Sequence, residues 1–315
     1  LFNPYYTQFR SYYSYCRPAL PISLLYIAGY LKKHSLDCAI KELGIFDIED
    51  AVKKGQSVRF GLSDEAIEGI IKNEMPKIVG ITCMYSIYFK DVVEIAGTIK
   101  KVDPNVKVIL GGNHASSFAS QILKNRNIDI IVIGEGEATF LELARKILNE
   151  ELTDDVEGIA YLDRNNKVIK TKARQFISNL DEIPFPLVEI VNYKQYLGKG
   201  NPFALRSPTA CIVSSRGCPG KCVYCTVSAV WGRVWRGRSP KNVVDEIESL
   251  MKNYQVSEFA FLDDSASVDR KRWEGICDEI IRRKLDIKWT TPNGIAHWTL
   301  TKEIINKMKE SGCYR

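Results

Sequence analysis

Short apolar runs alternate with amphipathic helical stretches, and this alternation restricts the fold more than any other feature of the sequence. In residues 1–150 the predicted strands are Leu1–Asn3, Cys38–Lys41, Ile78–Thr82, Val106–Leu110 and Ile128–Ile133. Predicted helices lie at Ser23–Lys33, Asp64–Lys72, Phe89–Lys100, Ser116–Asn125 and Ala138–Glu150. The alternation is typical of an α/β fold, a doubly wound, Rossmann-like parallel sheet with helices on both faces.

After residue 150 the pattern changes, and this change divides the chain. Two short alternating runs flank Asp163–Asn166, which predicts a β-hairpin. The segment Leu180–Pro186 contains two prolines, so it is not a regular helix and we interpret it as a linker. We therefore predict a first domain in residues 1–150, a hairpin and Pro-containing linker in 151–205, and a second domain in 206–315.

The second domain repeats the strand and helix alternation. Its predicted strands are Thr209–Ser214, Glu258–Leu262 and Ile287–Thr291, and its predicted helices are Pro240–Lys252, Arg270–Lys284 and Thr301–Glu310. A fourth strand would begin near Gly312 and Cys313, where the chain ends. We therefore expect an incomplete barrel, and a chain that is a fragment of a longer protein.

Composition excludes several classes of protein. Hydrophobic residues make up 45% and charged residues 26%, as in ordinary globular proteins. The apolar runs are far shorter than the roughly 18 residues of a membrane span, so no span is predicted. Of the nine cysteines, three cluster and six are scattered singly, which favours a reducing compartment, the cytoplasm, over a disulfide scaffold. The net charge of +6 arises in residues 201–315, an excess too modest to predict a nucleic-acid partner.

Three cysteines carry the strongest chemical signal. Cys218, Cys222 and Cys225 form a CxxxCxxC pattern on the loop after the first strand of the second domain. Thiolates hold iron–sulfur clusters, and three of them leave one iron of a four-iron cluster open. A zinc site with Cys211 as fourth ligand and a Cys222–Cys225 dithiol are the alternatives, although the first has poor spacing and the second leaves Cys218 unused.

This triplet, with Tyr224 before its last cysteine, resembles the signature of the radical S-adenosylmethionine (SAM) superfamily. The resemblance implies a partial TIM-type (β/α) barrel whose three cysteines hold a 4Fe–4S cluster, with SAM on the open iron. It also implies an external electron donor of the flavodoxin or ferredoxin type. The SAM contacts that it implies are Tyr224, Asp263, Asp264 and Asn293; the alternative for the two aspartates is a polar strand end with a helix-capping carboxylate.

Aromatic and basic residues alternate just after the triplet, at Trp231, Arg233, Trp235, Arg236 and Arg238. Such a pattern can bind a phosphate or a stacked base. We interpret it instead as a segment that supports the cysteine loop and the entry to the next helix, as the same resemblance implies.

Glycine-rich loops follow the last two strands of the first domain. One contains Gly111 and Gly112 ahead of His114, and the other contains Gly134, Glu135, Gly136, Glu137 and Thr139. Glycines at such positions let a ligand approach backbone N–H groups, although no GxGxxG run indicates a dinucleotide. Together with the cysteine triplet, these loops resemble the cobalamin-binding domain of B12-dependent radical SAM enzymes, which implies that these residues contact cobalamin.

The cobalt-ligating DxHxxG motif of methionine synthase-type cobalamin domains is absent around His34, His114 and His297, an absence that is frequent in the radical SAM branch. The resemblance implies methylation of an unactivated position of a small-molecule substrate, through a 5′-deoxyadenosyl radical and methylcobalamin. Rearrangement, cyclisation or oxidation without methyl transfer is the alternative enzymatic reading. A corrinoid-binding or iron–sulfur electron-transfer module is the alternative of another class.

Overall fold

The computed structural model describes residues 1–9, 19–44, 51–197 and 204–315, which form two compact units. The first unit comprises Leu1–Phe176 with Pro186–Val191, and the second comprises Ile177–Phe185 with Asn192–Arg315. The predicted linker Leu180–Pro186 contains only a helical turn at Leu180–Glu182. Each unit contains a parallel sheet of its own.

The first unit contains ten strands and five α-helices in its described residues. The strands are β1 (Phe2–Asn3), β2 (Tyr6–Phe9), β3 (Lys41–Glu42), β4 (Val52–Lys54), β5 (Ser57–Phe60), β6 (Ile78–Thr82), β7 (Lys107–Gly111), β8 (Ile130–Val132), β9 (Ile159–Leu162) and β10 (Val168–Lys170). The helices are α1 (Ile22–Lys33), α2 (Asp64–Glu74), α3 (Phe89–Val102), α4 (Asn113–Ile122) and α5 (Glu137–Leu148).

The main sheet of this unit has the strand order β10-β9-β8-β7-β6-β1-β3. Strands β1, β3, β6, β7 and β8 pair in parallel, which confirms the predicted doubly wound class. Strand β9 pairs with β8 in antiparallel register, and β10 pairs with β9. The hairpin therefore extends the first sheet. The first unit accordingly continues to Phe176, which differs from the predicted boundary at residue 150 and the separate segment 151–205.

Side chains of the central strands alternate between the two faces of this sheet. Val108 and Leu110 of β7 pack in a buried cluster with residues of α2, α3 and α4. Ile109, between them, belongs to a second cluster formed with residues of α1 and α5. Continuous apolar runs in the sequence thus reflect strands that are covered on both sides, as parallel sheets require.

A small antiparallel sheet of order β2-β5-β4 was not predicted from the sequence. Its pairs include Tyr6 with Phe60 and Val52 with Arg59. The strands are short and belong to connections between the βα units, so the helix and strand alternation contains no signal for them. The side chains of Val58 and Phe60 are nevertheless buried, so this small sheet packs against the rest of the first unit.

The second unit forms the beginning of a (β/α) barrel. Its strands are β11 (Thr209–Ile212), β12 (Ser215–Arg216), β13 (Arg236–Gly237), β14 (Glu258–Phe261) and β15 (Lys288–Thr290), and its helices are α6 (Val227–Trp231), α7 (Pro240–Tyr254), α8 (Arg270–Arg282) and α9 (Lys302–Glu310). Strands β11, β14 and β15 pair in parallel in that order. A parallel bridge from Trp289 to Cys313 marks the fourth strand that the sequence predicts there.

The helices of this unit begin where the sequence supplies a cap. The Ser239 side chain accepts a hydrogen bond from Asn242 N–H ahead of α7, and Pro240 occupies the first turn. Asp269 caps α8 and Thr301 caps α9 in the same way. In the described ranges, no helix combines the length and the apolar character that crossing a bilayer requires.

Three aromatic rings form the centre of the second unit. The ring of Phe261 lies edge-on to those of Trp273 and Trp289, with 5.4 Å between centroids in each case. All three side chains are almost completely buried. The cluster therefore joins β14, α8 and β15 below the loops at their carboxyl ends.

Phe261→Ala should lower the free energy of unfolding of this unit by about 3–5 kcal/mol, because the substitution leaves a cavity between two tryptophans. Ile305→Ala on the exposed side of α9 is the matched control and should change it little, since Ile305 is 51% exposed. Urea titrations followed by circular dichroism measure both values. Equal midpoints for the two variants would contradict this assignment of the core.

Candidate functional site

The cysteine loop of the second unit begins and ends at one short ladder. Ser215 and Arg216 of β12 pair with Gly237 and Arg236 of β13 in antiparallel register, so residues 217–235 leave and return at the same place. Gly217 has φ = +87°, and a Cβ there would collide with the carbonyl oxygen of Val234. Glycine is therefore required where the loop closes on itself.

The three thiols predicted to hold the cluster lie on the surface of this loop. Cys222 and Cys225 are exposed, and Cys218 is partly buried. Gly220 N–H lies 3.4 Å from Cys218 Sγ, and Cys225 N–H donates to Cys222 O at 3.2 Å. Among the described residues no three ligand side chains already surround one metal position. The donor set fits an iron–sulfur cluster chemically, but the thiols must converge when it assembles.

The other cysteines of the described residues have a different environment. Burial raises the pKa of the thiols of Cys83, Cys211 and Cys277 to about 12, 11 and 11, respectively. A raised thiol pKa disfavours the thiolate, which is the form that binds metals. Cys211 therefore suits the interior of β11 rather than the fourth position of a zinc site.

Asp263 lies in a closed hydrogen-bond network beneath the loop. Its Oδ2 accepts from Ser214 N–H at 3.2 Å, and its Oδ1 accepts from the hydroxyls of Ser214 at 2.9 Å and Ser215 at 2.5 Å. The residue is 1% exposed, and burial raises its carboxyl pKa against the effect of these bonds. Both carboxylate oxygens are thus engaged by the chain itself, and the SAM contact of Asp263 stays a prediction.

The other residues predicted to contact SAM are more accessible. Asp264 is partly buried, and its pKa is raised first by burial and then by the charge of Asp263. Asn293 is exposed, and its Nδ2 donates to Leu262 O at 3.0 Å, which links the loops after β14 and β15. Tyr224 is 86% exposed on the cysteine loop. Because Asp269 caps α8, the alternative helix-capping role of the two aspartates is wrong.

The aromatic and basic segment after the triplet serves the loop, as predicted. Arg233 Nη1 donates to Gly220 O at 2.6 Å, between the first two cysteines. Trp235 Nε1 donates to Ser265 O at 2.9 Å. Arg238 is 5% exposed and forms an ion pair with Glu246 on α7. These side chains contact the protein itself, which leaves them poorly placed for an external nucleic acid.

In the first unit, the Gly111–Gly112 loop joins β7 to α4. Gly112 has φ = +106°, and a Cβ there would lie 2.9 Å from the carbonyl oxygen of Cys83, at the end of neighbouring β6. The same carbonyl accepts from His114 N–H at 3.1 Å. Glycine thus brings two strand-end loops into direct contact.

The His114 ring is held between two aromatic rings. Its centroid lies 4.9 Å from each of Phe89 and Phe118, and its Nδ1 lies 2.8 Å from Ser86 Oγ. Burial lowers the pKa of the imidazole, which favours the neutral ring at pH 7. Its Nε2 is buried without a hydrogen-bond partner in the structure.

The loop after β8 lies beside this one because β7 and β8 are neighbours. Gly134 N–H donates to Ser116 Oγ at 3.1 Å, which connects the loop to α4. Glu135 and Glu137 are buried, and Gly136 precedes the first residue of α5. Thr139 is fully buried, and its Oγ1 has no hydrogen-bond partner.

These two loops fit the polar groups of a ligand such as cobalamin. Buried polar atoms are normally hydrogen-bonded. Three of them, His114 Nε2, Ser117 Oγ and Thr139 Oγ1, lack a partner near this edge of the sheet. The sequence analysis missed Ser117, and it also missed Ser86 and the exposed apolar side chains of Met84, Tyr85 and Ile87 after β6. The residues after β6 carry a signal nonetheless, because they follow a parallel strand as the glycine-rich loops do.

Two family models match the chain. The B12 binding domain matches residues 18–144, and the radical SAM superfamily matches residues 212–315. With the fold described above, these matches define a chain that combines a B12 binding domain with a radical SAM domain. The B12 binding domain lies ahead of the radical SAM domain in the chain. The predicted cofactors, cobalamin, SAM and a 4Fe–4S cluster, follow from these domains.

Named relatives agree with these matches. The chain is 32% identical over its whole length to cytidylyl-2-hydroxyethylphosphonate methyltransferase of Streptomyces wedmorensis, of which it covers 63%. It is 33% identical over 85% of its length to anaerobic magnesium-protoporphyrin IX monomethyl ester cyclase of Rubrivivax gelatinosus, of which it covers 46%. The chain therefore spans less than two thirds of the length of either relative.

A solved structure shares the fold. The radical SAM methyltransferase TsrM from Kitasatospora setae, with tryptophan substrate and a SAM analogue bound, has a TM-score of 0.71 and 17% identity. The match covers 99% of this chain and 57% of TsrM. At this identity the likeness concerns the fold.

Cys222→Ala should abolish the cluster, because two thiolates leave a four-iron cluster with two unsupported irons. Cys211→Ala is the matched control and should retain it, since that thiol is an internal residue of β11. Iron and sulfide analysis after anaerobic reconstitution, together with absorption near 400 nm, measures both. Full iron content in the Cys222 variant would contradict this assignment.

Gly112→Ala should weaken cobalamin binding by about tenfold or more, because a Cβ at φ = +106° is strained and displaces the Cys83 carbonyl. Gly69→Ala in α2 is the control, since a Cβ there meets nothing within 4 Å. The dissociation constants come from titrating each variant with hydroxocobalamin. Equal affinities would mean that this loop does not line the corrin site.

Proposed function

We propose that this chain is part of an enzyme that methylates an unactivated position of a small-molecule substrate. The observation that carries the proposal is the occurrence of a B12 binding domain and an open three-cysteine loop in one chain. Its named methyltransferase relative supports the reaction type. When bound, SAM on the cluster supplies a 5′-deoxyadenosyl radical, and cobalamin carries the methyl group.

In this proposal the chain's residues bind and orient the cofactors. Cys218, Cys222 and Cys225 hold three irons of the cluster and leave the fourth for SAM. Tyr224, Asp264 and Asn293 contact SAM from the carboxyl ends of the parallel strands. Asp263 acts indirectly, by fixing Ser214 and Ser215 before the loop.

The corrin site lies on the first unit in the same proposal. The residues that line it are Gly111, Gly112, His114, Gly134, Glu135, Gly136, Glu137 and Thr139. The unpartnered Nε2 of His114 and Oγ1 of Thr139 offer hydrogen bonds to the amide side chains of the corrin. A neutral imidazole suits that role, since burial already lowers its pKa.

A second candidate is a radical rearrangement, cyclisation or oxidation that transfers no methyl group. The relative named as a cyclase, 33% identical over 85% of the chain, favours it. A corrinoid-binding or electron-transfer module is less well supported. Electron-transfer clusters normally have four cysteine ligands, and the next cysteine along the sequence, Cys211, lies inside a strand.

The proposed partners follow from this chemistry. A small molecule is the substrate, and an external flavodoxin or ferredoxin supplies the electron that the cluster needs. We place the protein in the cytoplasm, because the eight cysteines of the described residues are free thiols. A nucleic acid is not proposed as a partner, since Arg236 and Arg238 bond within the second unit.

The decisive test is mass analysis of the corrin after anaerobic incubation of the reconstituted protein with methyl-deuterated SAM. Deuterated methylcobalamin is the expected product. Bound corrin without label would overturn methylation in favour of rearrangement, cyclisation or oxidation. A protein that binds no corrin would overturn the cobalamin half of the proposal.

A further inference from the structure

One arginine connects the two ends of the cysteine loop. Ser214 directly precedes β12, and Arg238 directly follows β13, so their carbonyl groups flank the base of the loop. Arg272 Nε donates to Arg238 O at 2.5 Å, and Arg272 Nη2 donates to Ser214 O at 2.5 Å. One planar side chain thus bonds to the backbone on both sides of residues 217–235.

The position of this guanidinium is set by its contacts with α8, with Trp235 and with β13. Arg272 is the third residue of α8, and its backbone N–H bonds to the capping Asp269. Its Cζ lies 5.4 Å from the ring centroid of Trp235, within the loop. A Cβ at Gly237 would lie 2.5 Å from Arg272 Nε, so the group passes directly over β13 where only glycine leaves room. The residue is 8% exposed.

Burial of this cation is compensated at two of its three nitrogens, Nε and Nη2, whereas the buried Nη1 has no hydrogen-bond partner in the structure. Burial lowers the pKa of Arg272 to about 10, and the charge of Asp263 opposes that shift. Asp263 in turn accepts bonds from Ser214 and Ser215 on one side of the loop. The guanidinium remains charged at neutral pH, so both of its bonds to carbonyls are charge-assisted.

Besides Arg272, the base of the loop is held by the ladder between β12 and β13 and by the hydrogen bond that Arg238 N–H donates to Ser214 O at 2.9 Å. The ladder between β12 and β13 contains only two residue pairs. The thiols that must converge around the cluster lie on the exposed part above it. Opening of the base would separate the arm that carries the three cysteines from the arm that returns to β13, and Arg272 opposes that opening through its bonds to both sides.

We propose that Arg272 is a positioning residue that clasps the two ends of the cysteine loop and thereby sets the geometry and retention of the cluster. It does not touch the cluster and acts through the Ser214 and Arg238 carbonyls. The inference rests on the proposed cluster site, but the clasp itself concerns the loop and exists without metal. Lysine cannot replace it, because one ammonium group lacks the two fixed donors of a guanidinium.

The test compares Arg272→Lys with Arg283→Lys in the full chain. Arg283 is the matched control at the other end of α8, where it pairs with Asp245, Glu248 and Glu279, away from the loop. After reconstitution, Arg272→Lys should lose iron to a chelator about tenfold faster than wild type, as loss of one charge-assisted bond predicts. Its reduced cluster should also show a changed EPR spectrum with SAM, which a general loss of stability would not produce.

A second measurement tests the effect of Arg272 on the loop in the absence of the cluster. In the metal-free protein, trypsin should cleave at the exposed Lys221 and Arg233 faster in Arg272→Lys than in wild type or in Arg283→Lys. If Arg272→Lys does not fold, Gly237→Ala takes its place, because a Cβ there displaces the guanidinium. Wild-type rates of both cleavage and iron loss, with an unchanged spectrum, would overturn the clasp. A wild-type protein that assembles no cluster would instead overturn the proposed function. The cleavage rates would still show whether Arg272 holds the base of the loop closed.

Discussion

Parallel strand pairing is the constraint on which the rest of this structure depends. Strands that run in the same direction place their following loops along one edge of the sheet. In the first unit this brings Gly112 and Gly134 to neighbouring positions after β7 and β8. In the second unit it places the cysteine loop, Asp264 and Asn293 after β11, β14 and β15. Each unit thus gathers its candidate ligand-binding residues without any dedicated binding element.

Buried charge is the second organising feature, and it is concentrated below the cysteine loop. Asp263, Arg272, Arg238 and Glu246 are all nearly inaccessible to solvent. Burying such groups is costly unless each is paired or hydrogen-bonded, and such networks are retained where a particular geometry must be kept. Here Arg272 bonds to backbone carbonyls on both sides of the irregular loop, Asp263 bonds to Ser214 and Ser215 before it, and Arg238 after it pairs with Glu246. The network therefore stabilises a conformation that two short strands alone would hold weakly.

The site was predictable where local pattern carries the chemistry. The cysteine spacing located the cluster loop, and the glycines located the loops after β7 and β8, because both signals lie within a few residues of sequence. The role of Asp263 was not predictable, since its partners are 48 and 49 residues away. The same holds for Arg272, which reads as an ordinary residue of an amphipathic helix until its two carbonyl partners are seen.

The sequence by itself determined the element types, the parallel class of both sheets and the family, because hydrophobic periodicity and cysteine spacing are local properties. Only the tertiary structure decided that the hairpin at 159–170 extends the first sheet, and that β2, β4 and β5 form a sheet of their own. It also decided that Asp263 bonds to Ser214 and Ser215 beneath the cysteine loop. These outcomes depend on pairing between distant segments and on burial, which no short stretch of sequence encodes.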